Sequence, residues 1–406
     1  MKMKYDVVVL GGGAAGMGAV FGAKENGASV LLIEREASTG GVLNQCIHTG
    51  FGLQVFKTEL TGPEYHEIYK DKMGNFDALY ETMVLSIDFD NNRMKMMNSN
   101  GIHDIEYGAL VLATGARERP FESLRIPGTR PAGIFTAGLA QKFVNLENHL
   151  PGHRAIIVGS GDIGMIMARR LTLEGIEVEG VYEIMPYPGG LTRNIAQCLE
   201  DFNIPLHLST SVIKIHGKNR LEGVTVSKFE NGVPLKASER FVECDTLVAS
   251  VGLIPENDLV KKKIEMGSDE GIFVDDLMRT NYENVFACGN NVCIHDLVDF
   301  ATVEGEMAGR NAAVIAKGGS LPPRVGFLSP KAGIRVVSAR YTTATAPFKI
   351  YVRVDRPMEI ATVNVNGKAI KAAVNARPSE MIEVTLDPKK YDLKGKVELV
   401  AKGVKR

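Results

Sequence analysis

Tyr5-Asp6-Val7-Val8-Val9-Leu10-Gly11-Gly12-Gly13-Ala14-Ala15-Gly16 is the stretch on which the fold turns. Val7–Leu10 is an apolar run of the kind a strand buried on both faces shows, and the glycines after it open a helix. In such a strand–loop–helix unit Gly11 allows the tight turn and Gly13 lets the backbone approach a pyrophosphate. Gly16 lets the helix pack on the sheet, and the helix N-terminus supplies free amides and a positive dipole end. A second apolar strand, Ser29–Ile33, leads to Glu34, about 20 residues on, where a carboxylate accepts ribose hydroxyls. Strand before, helix after and acid at the end make this a dinucleotide-binding unit.

The pattern returns from Arg154 to Glu183. The strand Arg154–Val158 runs into Gly159-Ser160-Gly161-Asp162-Ile163-Gly164, and Glu183 ends the next strand. A carboxylate there favours the free 2′-hydroxyl of NAD over the phosphate of NADP, and no arginine occurs from Ile184 to Thr192, although Arg193 follows. A repeated βαβ unit predicts an α/β protein with two doubly wound, Rossmann-like domains. Asn100-Gly101 and Asn231-Gly232 read as hairpin turns in β-excursions from each nucleotide fold. A helix is expected from about Asp299 to Lys317, closed by Gly318-Gly319. Past Pro322-Pro323, strands are predicted at Phe348–Val354, Ile360–Val365, Met381–Leu386 and Val397–Ala401, with a hairpin at Asn366-Gly367. Residues 324–406 therefore read as a small all-β domain, without cysteine or histidine.

Composition narrows the function classes. The 406 residues carry a formal net charge of -1, with 45% apolar and 23% charged residues, which gives no electrostatic reason for a nucleic-acid or anionic-membrane partner. No stretch reaches the roughly 18–20 apolar residues of a membrane span, and the N-terminus does not read as a signal peptide. Five scattered cysteines do not form a disulfide framework, so a reducing cytoplasm is expected.

Three further segments tie the two units together. Leu112-Ala113-Thr114-Gly115-Ala116-Arg117, Asp245–Gly252 and Val285-Phe286-Ala287-Cys288-Gly289-Asn290 resemble the crossover, return and late flavin motifs of the two-dinucleotide-domain flavoproteins, the pyridine nucleotide-disulfide reductase-like superfamily of thioredoxin reductase and lipoamide dehydrogenase. The motifs cover about residues 1 to 318. The resemblance implies a discontinuous FAD domain, 1–117 with 252–318, and an inserted NAD domain, 118–251. It implies FAD contacts at Gly11, Gly13, Ala15, Gly16, Glu34, Arg35, Gly41, Asn44, Gln45, Val84, Thr114, Gly115, Gly289 and Asn290, and NAD contacts at Gly159, Gly161, Gly164, Glu183 and Gly252. The superfamily has an acid where Asn290 stands; an amide oxygen can still accept a ribitol hydrogen bond, without the charge. The expected helix from Asp299 would aim its positive end at the flavin pyrimidine.

Gly40-Gly41-Val42-Leu43-Asn44-Gln45-Cys46-Ile47-His48-Thr49-Gly50-Phe51-Gly52 resembles a narrower group, the NAD(FAD)-dependent dehydrogenase subunits that sit beside a glycerol-3-phosphate dehydrogenase-like or dye-linked proline dehydrogenase-like flavoprotein. Ala113–Pro120 and Asn290–Asp299 fit it too. The implied function is hydride exchange between NAD(H) and FAD in a hetero-oligomer whose partner handles an organic substrate. A stand-alone NADH oxidase or peroxidase using Cys46, and a non-catalytic scaffold, are the alternatives.

A dithiol relay is not expected. The region after Gly40-Gly41 holds only Cys46, and Ile134–Gln141, before the second glycine loop, holds no cysteine. Cys46 is the one candidate catalytic thiol, with a flavin contact, a sulfenic acid cycle or plain packing as its readings. Cys288 and Cys293 read as structural, and no metal site is predicted. Near the flavin, His48 and His295 are candidates for binding a substrate phosphate, relaying protons or making a plain polar contact, and Arg117 and Arg119 for a pyrophosphate contact or a tie between domains.

Overall fold

A computed structural model describes residues 4–404; the ends of the expected first and last domains, 1–3 and 405–406, lie outside the described residues. Eight elements carry the argument: β1 (Lys4–Leu10), α1 (Ala14–Glu25), β2 (Val30–Ile33), β3 (Gly101–Leu112), β4 (Arg154–Val158), α2 (Asp162–Leu173), β5 (Glu177–Tyr182) and α3 (Val298–Ala316). The chain divides into two compact units, Met1–Ala116 with Pro255–Arg406, and Arg117–Ile254.

In the first unit β1 lies between β2 and β3, parallel to both, with Asp77–Leu79 beyond β2. Val7, Val8 and Val9 are fully buried, as the unbroken apolar run requires. The first half of β3 turns back at Asn100-Gly101 onto Arg93–Asn98, and its last residues pair in parallel with Val285–Ala287. The sequence therefore returns to the same sheet after the second unit. α1 and α3 meet at backbone contact. A Cβ on Gly18 would lie 2.4 Å from the Thr302 carbonyl oxygen, and one on Gly305 2.0 Å from that of Ala15. Gly22 and Gly309 repeat this one turn along, a Gly-x-x-x-Gly on each helix.

The residues after 324 form the predicted strands in two sheets. One has five strands, with Gly326–Pro330 and Gly395–Val404 at its centre; the other has three, Ile334–Val337, Phe348–Val354 and Ile382–Leu386. Leu328, Ile350, Val352, Val363, Val397 and Leu399 fill the space between them. This sandwich belongs to the same compact unit as the first nucleotide fold. Asp275, fully buried, accepts from Arg279 Nε at 3.0 Å and from Arg324 Nε at 3.1 Å, while Asp276 accepts from the Thr343 amide (2.6 Å) and hydroxyl (2.9 Å).

The second unit repeats the doubly wound plan. Its parallel sheet runs Ile134–Thr136, Thr246–Ala249, β4, β5, Leu206–His207, with α2 following the glycine loop. An antiparallel excursion, Thr210–Gly217 against Leu221–Glu230, carries the Asn231-Gly232 turn. Among the described residues no helix is long and apolar enough to cross a membrane.

Candidate nucleotide sites

The first glycine loop is fixed by contacts that only glycine tolerates. Gly11 sits at φ +103° with its amide on the Ile33 carbonyl (2.9 Å); a Cβ there would meet the Ala113 oxygen at 2.3 Å. A Cβ on Gly16 would lie 1.8 Å from the Gly11 oxygen, whereas one on Gly13 meets nothing within 4 Å. Gly13 thus faces open space at the start of α1, where helix amides have no carbonyl partner of their own. The Gly40 amide donates to the Gly12 oxygen at 2.8 Å, and Gly41 lies over Gly13. Asn44 and Gln45 follow in a short 3-10 turn, where Asn44 donates to the Thr39 carbonyl at 2.9 Å.

Glu34 is buried at the edge of this cradle. Its Oε2 accepts from the Gly12 amide (2.6 Å) and its Oε1 from the Glu36 amide (2.8 Å), while the neighbouring Arg35 side chain is exposed. Val84 is half-buried. Thr114 Oγ1 is buried with no hydrogen-bond partner, beside Gly115 at φ +73° with open space where a Cβ would stand. A buried orphaned hydroxyl next to an open glycine, and open space over Gly13, fit an extended polar ligand such as a dinucleotide.

Gly289 (φ +79°) packs on Ala15, and its amide donates to Glu304 Oε2 at 3.0 Å. Asn290 Oδ1 already accepts the His295 amide at 3.0 Å, so one of its two lone pairs is committed within the loop. α3 begins one residue before the expected Asp299. Asp299 itself turns inward to accept from Val55 (2.8 Å) and Gly52 (3.3 Å) amides.

The second loop is built in the same way. Gly159 (φ +94°) donates to the Tyr182 oxygen at 2.8 Å, and a Cβ on it would strike Ser250 O at 2.1 Å. A Cβ on Gly164 would lie 2.7 Å from the Gly159 oxygen, whereas one on Gly161 would make only ordinary contact, 3.5 Å from Ser250 Oγ. Glu183 is buried: Oε2 accepts from the Ser160 amide (2.9 Å) and hydroxyl (2.6 Å), Oε1 from the Met185 amide (2.9 Å). Glu34 and Glu183 thus grip equivalent amides with equivalent oxygens. Gly252, at φ +99°, is open, and its oxygen accepts the Arg119 amide at 3.0 Å.

The internal repeat runs further than the two loops and their acids. Gly40-Gly41 stands six and seven residues after Glu34, and Gly189-Gly190 stands six and seven after Glu183. Gly189 donates to Ser160 Oγ at 2.7 Å; Asp162 Oδ1 accepts from Leu191 (2.8 Å) and from Asn194 Nδ2 (2.6 Å). In both units a diglycine therefore crosses the start of the helix. That spacing was visible in the sequence and would have marked Gly189, Gly190 and Asp162.

The cysteines supply no thiolate pair. Burial pushes the Cys46 thiol up to about 12, and raises Cys198, Cys244, Cys288 and Cys293 as well. His48 is half-buried, with Nδ1 3.0 Å from the Thr49 oxygen. His295 is buried, with Nε2 2.9 Å from Glu304 Oε2.

The pyridine nucleotide-disulphide oxidoreductase family model matches residues 5–308. The chain belongs to that family. It is an FAD-containing, nicotinamide-dependent oxidoreductase, with FAD and the nicotinamide nucleotide as its cofactors. It is 27% identical over 339 residues to hydrogen cyanide synthase subunit HcnB of Pseudomonas aeruginosa, covering 77% of this chain and 70% of that one. It is 29% identical over 254 residues to an NADH oxidase of Methanocaldococcus jannaschii, covering 60% of this chain and 53% of that protein. The thioredoxin reductase of T. acidophilum has the same fold, with a TM-score of 0.62, 21% identity, and coverage of 78% of this chain and 99% of that one.

Proposed function

We propose that this chain is the NADH-dehydrogenase-type subunit of a hetero-oligomer, exchanging hydride between NAD(H) and FAD while a partner flavoprotein handles an organic substrate. The observation that carries the reading is the matched pair of cradles, each with its own buried ribose-facing acid, Glu34 and Glu183. On this reading residues 1–117 with 252–318 form the FAD domain, 118–251 the NAD domain, and 324–406 a small β domain. FAD is held by Gly11, Gly13, Ala15, Gly16, Glu34, Arg35, Gly41, Asn44, Gln45, Val84, Thr114, Gly115, Gly289 and Asn290; NAD by Gly159, Gly161, Gly164, Glu183 and Gly252. When bound, the flavin would supply the two-electron chemistry and NAD(H) the hydride. The chain's own residues bind, orient and keep water out. Glu183, with both oxygens fixed by amides, presents negative charge to the adenosine ribose, which favours NAD over NADP.

Only Cys46 follows Gly40-Gly41, and Ile134–Gln141 holds no cysteine, which argues against a dithiol relay; reducing equivalents then leave through a partner rather than through cysteines of this chain. Similarity to a cyanide synthase subunit supports a place in a complex. The resemblance of Gly40–Gly52 supports a glycerol-3-phosphate dehydrogenase-like partner, and five scattered cysteines support a cytoplasmic setting. The purified chain alone should reduce an artificial dye with NADH and not with glycerol 3-phosphate. Dye reduction by glycerol 3-phosphate without any partner would overturn the assignment. A second reading, an NADH oxidase or peroxidase, is favoured by the M. jannaschii relative; it requires peroxide turnover that Cys46→Ser abolishes.

A further inference from the structure

The loop between Gly289 and α3 is held by more than the nucleotide fold. Glu304 Oε2 accepts from the Gly289 amide at 3.0 Å and pairs with His295 Nε2 at 2.9 Å. The His295 amide in turn donates to Asn290 Oδ1 at 3.0 Å. One carboxylate therefore orients the last two residues of the late flavin motif, directly at Gly289 and through His295 at Asn290. Gly289 has no slack, because even a Cβ on it would lie 2.7 Å from that of Ala15 in the first turn of α1.

The far side of this loop is gripped by the β-sandwich. Tyr351 meets the His295 ring edge-on (5.4 Å, 88°) and stacks on Phe300 of α3 (4.3 Å, 28°). Arg353 forms a nearly buried ion pair with Asp296 and donates to the Ile294 oxygen at 3.0 Å. The Met381 amide holds the other Asp296 oxygen at 2.6 Å, and Arg353 also bonds the Pro378 and Ser379 carbonyls. A fork that engages a carboxylate and three carbonyls at once fixes orientation as well as distance, which a lysine ammonium does not.

We propose that the β-sandwich is a structural part of the flavin site: Glu304 is a positioning residue for Gly289 and Asn290, and Tyr351 and Arg353 brace the loop through which it acts. This rests on the assignment of the first unit to FAD. The sandwich then does more than offer a surface to another subunit; its removal or loosening reaches the cofactor.

The test uses the full-length, FAD-loaded chain. FAD release on dilution is followed by the rise in free-flavin fluorescence, alongside the visible spectrum and the flavin midpoint potential. Tyr351→Ala and Arg353→Ala should each release FAD at least tenfold faster than the parent. Tyr351→Phe, which keeps the ring, should restore the parental rate, and Arg353→Lys should not. Glu304→Gln, nearly unchanged in volume, should speed release and shift both spectrum and potential, which a merely structural role would leave alone. Parental release rates in Tyr351→Ala and Arg353→Ala overturn the proposal. Should those two fail to fold, parental release and potential in Glu304→Gln and Arg353→Lys overturn it equally. A parent chain that takes up no FAD would sink the flavin assignment itself, and the parent control alone would show it.

Discussion

Replacing Glu183 with alanine removes a carboxylate that accepts three hydrogen bonds, from the Ser160 amide, the Ser160 hydroxyl and the Met185 amide. Ser160 is fully buried, so water cannot take over its amide, whereas exposed Met185 can be rehydrated. An unsatisfied buried donor costs about 1–3 kcal/mol, and the hydroxyl can rotate toward another acceptor. The second unit should therefore lose about 2–3 kcal/mol of stability, read by urea unfolding. Binding suffers separately. A charged hydrogen bond to a ribose hydroxyl contributes about 1.5–3 kcal/mol, so NADH affinity should fall roughly 10- to 100-fold. Calorimetric titration of the folded, FAD-loaded variant measures this, with Glu34→Ala as its mirror: faster FAD loss, unchanged NADH affinity. A folded Glu183→Ala chain that binds NADH within twofold of the parent would mean that Glu183 does not hold the ribose.

Other consequences follow from burial. Cys46 holds its proton more tightly when folded, since desolvation lifts its pKa from the usual 9.0 to about 12. Its contribution to stability is complete below pH 9 and is lost as pH climbs from 9 toward 12, and alkylation of the folded protein should stay slow through pH 9. Peptide-mapped alkylation rates that rise with an apparent pKa below 9 would contradict this. Arg279→Met leaves Asp275 buried with only the half-buried Arg324 as ionic partner, and should cost about 3 kcal/mol in urea unfolding, near the low end for a broken buried pair; a loss under 1 kcal/mol would mean Arg324 suffices. Gly305→Val drives a side chain into the Ala15 carbonyl of α1, at the upper end of or beyond the roughly 1–3 kcal/mol of ordinary overpacking. It should also lower the FAD content of the purified protein, and an unchanged flavin-to-protein absorbance ratio would argue against it.

What the sequence made legible is local and periodic. Both glycine loops, their acids and the hairpins at Asn100-Gly101 and Asn366-Gly367 follow from patterns within about 30 residues, and each stands where the backbone needs it. Strand Phe348–Val354 begins and ends as read. The return arm of the Asn366-Gly367 hairpin, Lys368–Ala376, has no bounds legible in the sequence, because Lys368, Ala369, Lys371 and Ala372 are exposed at a sheet edge and leave no apolar alternation to read. The Gly-x-x-x-Gly pairs on α1 and α3 were visible, but only proximity of two helices almost 300 residues apart gives them meaning. The Glu304–His295–Tyr351 chain is of the same kind: three residues of ordinary type, joined by tertiary packing alone.

The central event is reduction of the chain's own flavin by NADH. Anaerobic titration of the purified protein, followed at the flavin absorbance band, tests it most directly. Full bleaching by about one equivalent of NADH, with much weaker response to NADPH and none to glycerol 3-phosphate, is the predicted result. A flavin that stays oxidised with excess NADH, in a chain that is folded and loaded, would contradict it.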